Sequence, residues 1–288
     1  MNLKAFQKTL LSRRTLRGWV VAFLAGLGFL AGVAGLLAAL FPDAAKKQTG
    51  WYLWVVIGAP VAWGVFVALP RRHYSRRFSH PDMEISIVVG DLFEQDGHVI
   101  IGMSDTFDTE TPVIIQRRGI QGQLLTRVYG DDLPKLDQDL QKALHGSTVV
   151  ATETAADKPA GKRDRYAVGT VAVLGDVDRH FFCVAYTRMG NNNVAQGSVS
   201  DLWQSLCAAW EAVRNNGQGD PVSIPVVGSG LARLSSQISR PDLVRLILLS
   251  FLTASRAQVV TSHLRIVIHP KDAENMDLRE LADFLEAQ

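Results

Sequence analysis

Cysteine is nearly missing from this chain. Cys183 and Cys207 are the only two in 288 residues, and each sits in an apolar run. Two scattered cysteines do not build a disulfide framework, so a reducing setting is expected. The sequence also has no HExxH, no CxxC, no Walker P-loop and no nucleophile elbow. Their absence removes the zincin, thiol-redox, P-loop NTPase and α/β-hydrolase readings. The seven histidines are scattered without metal-ligand spacing, so no metal is expected. Acid is scarce at one end. Residues 1–80 hold eleven Lys and Arg but a single acid, Asp43, which leaves residues 81–288 with 19 of the 30 bases and 27 of the 28 acids. A net charge of −8 over that larger part argues against nucleic acid as its partner, because nucleic-acid binders present a basic face.

Charge is also absent from two long stretches. Residues 18–41 and 51–70 carry none. As a helix the first rises about 36 Å, enough to cross a hydrocarbon core of about 30 Å. Trp19, Trp51, Tyr52 and Trp54 lie near the ends, at headgroup level. Lys4, Lys8, Arg13, Arg14 and Arg17 precede the first stretch, and Arg71, Arg72, Arg76 and Arg77 follow the second. The positive-inside bias then puts both ends in the cytosol of a bacterial cell, with multi-pass anchoring in its inner membrane and contact with membrane lipid. Gly28 with Gly32, and Ala31 with Gly35, have the small-residue spacing of associating membrane helices. Pro60 falls in the middle of the second stretch, where it is expected to kink the helix. The expected organisation is a basic segment at 1–17, a transmembrane hairpin at 18–70 (18–41 and 51–70), a juxtamembrane linker at 71–83, and a soluble domain at 84–288.

Beyond residue 83, strand-like and helix-like segments alternate. Ile85 to Val89, Val99 to Ile101, 166–174, 180–187, Val222 to Val227 and Leu264 to Ile268 read as strands. Residues 120–129, 132–144, 199–214 and 241–256 read as helices, with a last helix from about 276. In 199–214, Leu202, Leu206, Trp210 and Val213 recur at helical spacing and Asn215-Asn216-Gly217 supplies the stop. Residues 154–165 are polar and read as a mobile loop. The alternation predicts an α/β domain in three layers, α/β/α, with helices on both faces of the sheet.

Glycine turns at strand ends carry the functional signal. In open α/β sheets, ligands bind beyond the carboxyl ends of strands, and turn amides there cradle phosphate without basic side chains. Three segments fit: Gly90-Asp91 after the first strand, Gly119-Ile120-Gln121-Gly122 opening a helix, and Ile224 to Leu231 running from a strand into Gly228-Ser229-Gly230. Taken singly, each is an ordinary turn.

Taken in order, these segments resemble the macrodomain, a module that binds ADP-ribose and its relatives. Val89-Gly90-Asp91-Leu92 is similar to the family's opening strand and Gly-Asp-aliphatic turn, and the resemblance implies that Asp91 accepts a hydrogen bond from an adenine amino group. Gly119-Ile120-Gln121-Gly122-Gln123-Leu124 is similar to the segment that contacts the diphosphate, and Pro225 to Gly230 to the one that closes over the phosphates. The binding residues so implied are Asp91, Leu92, Ser104, Asp105, Thr106, Phe107, Asp108, Gly119, Gln121, Gly122, Gln123, Val227, Gly228, Ser229, Gly230 and Leu231. Two departures favour binding over hydrolysis. Gly102 and Asp105 stand where macrodomain hydrolases carry asparagines, and Ala232 stands where an aromatic residue is common.

The two spans, GMSDTFDT at 102–109 and IPVVGSGLAR at 224–233 together resemble the membrane–macrodomain effectors of type II Thoeris anti-phage systems. The resemblance implies a partner TIR-domain NADase acting through a diffusible product, histidine-ADP-ribose as activating ligand, a homo-oligomer, membrane disruption, and no turnover of the ligand. Asp105 and Asp108 would suit a cationic histidyl group, or would merely cap turns. A membrane-tethered ADP-ribosyl hydrolase and a scaffold for ADP-ribosylated partners are the alternatives.

Overall fold

The structure, a computed structural model, describes residues 13–40, 58–63, 72–228, 234 and 237–288. The chain divides into two compact units, Met1–Arg71 and Arg72–Gln288.

In the first unit, α1 (Arg13–Leu40) is a 28-residue helix, and residues 58–63 are helical. Gly26 faces Pro60 closely enough that an added Cβ would lie 3.4 Å from Pro60 Cβ. Among the described residues no helix is long and apolar enough to cross a membrane. The side chains of α1 are described only in part, and residues 41–57 and 64–70 lie outside the described set. The two-span hairpin expected at 18–70 is therefore not shown.

The second unit is built on a mixed sheet. Its strands are β1 (His73–Ser79), β2 (Asp82–Val89), β3 (His98–Ser104), β6 (Val171–Asp176), β7 (Arg179–Met189), β9 (Val222–Pro225) and β10 (His263–Ile268), in the order β1-β2-β10-β9-β3-β7-β6. The pairs from β2 to β7 are all parallel, and antiparallel β1 and β6 close the two edges. A separate hairpin joins β4 (Val149–Thr152) to β5 (Asp164–Tyr166), and short β8 (Ala195–Gln196) pairs with the end of β7.

Period-2 alternation explains the layering. Ile85 and Ile87 of β2, Ile100 of β3, Phe182 and Val184 of β7 and Leu264 and Ile266 of β10 turn to one face. There they meet α4 (Val199–Asn216), α5 (Arg240–Ala257) and α7 (Leu278–Glu286) through Trp210, Phe251 and Leu281. Val99, Ile101, Met103, Phe181, Cys183 and Ala185 turn to the other face, against α2 (Ile120–Gln123), its π-helical continuation Leu124–Val128 and α3 (Leu133–Ala143). The short helix α6 (Pro270–Ala273) follows β10. The three-layer α/β/α arrangement expected from the sequence is the one observed.

Helix ends follow their sequence signals. Ser198 and Ser239 accept from the amides of Asp201 and Asp242 at the starts of α4 and α5, and Asp132 and Asp277 cap α3 and α7 in the same way. Each such cap stabilises its helix by about 1 kcal/mol. Both cysteines are free, and burial pushes the Cys183 thiol up to about 12, which leaves it inert at neutral pH.

Two expectations are corrected. Residues 71–83 are not a linker, because 73–79 form the edge strand β1, paired with β2 in register from His73↔Val88 to Ser79↔Asp82. The run of Arg and His residues hides the alternation: Tyr74 and Phe78 pack on the core while Arg76 donates to the Leu285 carbonyl. The folded unit thus begins near residue 72, not 84. Residues 154–165 are not a free loop either, since Lys158 is wholly buried against Asp108, with Nζ 3.1 Å from Oδ2.

Candidate ligand-binding site

Five parallel strands end on one edge of the sheet, and a cleft of about 490 Å³ lies there. That volume suits a small organic ligand. In sheet order, its floor runs from the turn after β2 (Gly90 to Phe93), past Val267 and His269 at the end of β10, Pro225 to Gly228 at the end of β9, and Gly102 and Ser104 of β3, to Tyr186, Thr187 and Met189 at the end of β7, with Asn193 and Ala195 beyond it. Four strand spacings separate β2 from β7, so the cleft extends about 19 Å. Residues 114–116 and 118–121, with Gln123, form its side.

The β2 end is built from a single turn. Asp91 Oδ1 accepts from the Phe93 amide at 2.8 Å, and Oδ2 accepts from Arg127 at 2.6 Å. Burial works against the Asp91 charge, but the Arg127 and Phe93 hydrogen bonds outweigh it and hold the carboxyl below its usual range. Arg127 lies over the Phe93 ring, 5.2 Å from its centroid. The carboxylate keeps acceptor capacity for a ligand donor.

The middle is built on close backbone approach. A Cβ at Gly102 would lie 2.5 Å from the Tyr186 ring, and the Gly102 carbonyl accepts from Gln121 Nε2 at 2.8 Å. Gly228 sits at φ +88°, a conformation that glycine adopts without strain. Burial pushes the Tyr186 phenol up to about 12. Gly122 is buried where any side chain would strike the backbone of Gln116 and Arg117. Arg118 stands at the rim, and its guanidinium pairs with no acid among the described residues.

Of the residues expected from sequence, Asp91, Leu92, Ser104, Gly119, Gln121, Gln123, Val227 and Gly228 line the cleft. Gly122 is buried and does not line it. Ser229, Gly230 and Leu231 lie outside the described residues. Thr106, Phe107, Asp105 and Asp108 are buried and do not line it. Asp105 accepts from the Met189 amide and pairs with Arg165, and Asp108 is held by Thr106, Lys158 and the Lys162 amide. The two aspartates are thus met by internal cations, and neither offers the cleft a free carboxylate. Sequence reasoning missed Tyr186, His269, Asp272, Met189, Asn193 and Arg118. Tyr186 and Met189 lie in the last residues of β7, Asn193 follows it, and His269 and Asp272 follow β10, all in apolar or turn-like sequence that does not stand out, though their place at strand ends was a usable signal.

The family model described as Thoeris protein ThsA, Macro domain, matches residues 85–269. The chain is similar to the Thoeris protein ThsA of Bacillus amyloliquefaciens (strain Y2), with 27% identity over 207 residues, 70% of this chain and 67% of that one. In fold it is similar to the Oceanobacillus iheyensis macrodomain with ADP, at 14% identity and a TM-score of 0.50 over 76% of this chain and 100% of that one. A mutant of the same macrodomain gives 13% identity and a TM-score of 0.50, over 74% and 99%.

Proposed function

This chain belongs to the ThsA macro-domain family of Thoeris proteins, and we propose that it is an anti-phage effector whose macrodomain binds an ADP-ribose-type signal. The cleft carries this reading: a groove about 19 Å long across the strand ends, with an ionised Asp91 at one end, fits an elongated dinucleotide-like ligand. The ligand is an ADP-ribose conjugate, histidine-ADP-ribose, made from NAD by a TIR-domain partner and delivered by diffusion. Gly228, Gly119 and the cationic Arg118 suit its phosphates.

In this reading the protein binds its ligand and does not turn it over. Gly102 supports that choice. Tyr186 packs where any side chain at position 102 would have to go, so the position has no room for a catalytic amide.

The first unit is an anchor in the bacterial cell membrane. Val20, Val21, Leu24, Phe29, Val33, Leu36 and Leu40 of α1 are exposed, an apolar surface that requires lipid or protein cover. The charge-free stretches 18–41 and 51–70 and their basic flanks support a two-span hairpin with both termini cytosolic. Ligand binding then favours a homo-oligomer that breaches the membrane, provided that the ligand binds the assembled state more tightly.

Full-length protein reconstituted in dye-loaded liposomes tests the reading. Histidine-ADP-ribose added on the macrodomain side should release dye, raise the oligomer size and be recovered intact by chromatography. Dye retained at saturating ligand contradicts the effector role, and a cleaved ligand contradicts the receptor role.

A further inference from the structure

The end of the cleft beyond β7 is not built from one turn. The β7–β8 turn, residues 190–194, is closed by the bond from Gly190 N to the Val194 carbonyl and by Asn192 Oδ1 accepting from Val194 N. Its Asn193 has positive φ (57°) and lines the cleft, while the side-chain oxygen is shut from solvent with no hydrogen-bond partner among the described residues. A flip of the carboxamide would exchange oxygen for nitrogen but leave one polar group unmet. Such an orphan is unfavourable until a turn of the side chain brings a donor in the cleft to it.

A single guanidinium holds this turn from behind. Arg165 donates to Glu153 Oε1, to Asp105 Oδ2 at 3.0 Å and to Asn191 Oδ1 at 2.7 Å, and Asn191 donates back to Glu153. Asp105 in turn accepts from the amide of Met189, a cleft residue. Arg165 itself is mostly buried and does not line the cleft. It therefore joins three segments distant in sequence: the loop after β3, the β4–β5 hairpin and the turn that presents Asn193.

Resting on the ligand reading above, we propose that Asn193 is the specificity contact for what the ligand carries beyond its diphosphate, and that Arg165 is the positioning residue that fixes it. The sheet order separates this end from Asp91 by four strand spacings, about 19 Å. A nucleoside diphosphate anchored at Asp91 stops short of it, and a second sugar extends the ligand to it. The residues first expected to read that part, Asp105 and Asp108, act from inside the wall and not at its surface.

ADP and ADP-ribose differ by that second sugar, so the pair isolates the far end. Full-length protein in detergent micelles is titrated with each by calorimetry. Asn193→Ala and Arg165→Gln should each weaken ADP-ribose about tenfold or more, the loss of one paired polar contact, and change ADP less than about twofold. Arg165→Lys, which keeps the charge but not the three-way fork, should fall between wild type and Arg165→Gln. Retained ADP binding shows that a variant is folded. If Arg165→Gln fails to fold, Asn193→Ala decides. Equal loss for both ligands, or no loss for either, overturns the proposal. Wild-type protein that binds neither ligand overturns the ligand reading itself, a result distinct from a wild type that binds both and variants that keep their ratio.

Discussion

The two ends of the cleft are made in opposite ways. At the β2 end, Gly90 to Phe93 form one turn whose carboxylate is oriented by an amide two residues on, with Arg127 as a distant partner. At the β7 end, the surface turn depends on Asp105, Glu153 and Arg165, which meet only in the folded chain. A local turn is nearly preformed, whereas a wall held by buried charges exists only when every partner is in place. On the proposed ligand reading, nucleotide anchoring and specificity are separable here, the first resting on a local turn and the second on remote packing.

The most damaging single substitution is one that strands the buried cation of the β4–β5 connection. Asp108→Ala leaves Lys158 in the interior without a counter-charge, and should cost about 3–5 kcal/mol. Thermal unfolding of the full-length protein checks this, and adding Lys158→Met should restore most of the loss, because a paired removal leaves no orphan charge. Next comes Asp91→Ala, which removes a charged acceptor worth about 1.5–3 kcal/mol and so should weaken ADP and ADP-ribose alike by at least tenfold. Such uniform loss would sharpen the contrast with the split expected at Asn193.

The gentlest perturbation is pH. Asp91 and Glu153, one at each end, both have carboxyls held below their usual range. For Asp91 the Arg127 and Phe93 bonds outweigh the larger opposing effect of burial, and for Glu153 the Arg165 hydrogen bond leads. Depressed carboxyls stabilise the fold fully above their unfolded values, and lose that contribution as pH falls through the folded ones. Their contribution should therefore hold from neutral pH down to about 5 and fall away below about 4, separate from a step near pH 6 set by His263, whose imidazole burial holds below its usual range. A denaturation series on wild type and on an Asp91→Asn, Glu153→Gln variant checks the assignment, and a variant that keeps the whole decline below pH 4 would contradict it.

What the sequence revealed tracks the same division. The layers, most helices and Asp91 were legible, because alternation, capping residues and a Gly-Asp turn are local patterns. β1 was misread since its alternating Tyr74 and Phe78 are embedded among arginines whose charge resembles a membrane flank. Lys158 in a polar stretch gives no sign of burial, which comes only from Asp108 fifty residues away. Asn193 lies in an ordinary-looking run of three asparagines, and nothing in that run shows that Arg165 stands behind it.

The most direct test of the central claim is calorimetric titration of the full-length protein with histidine-ADP-ribose and with plain ADP-ribose. The account predicts that both bind at one site per chain, the conjugate more tightly, and that Asp91→Ala weakens both. Absence of binding by either compound would contradict it.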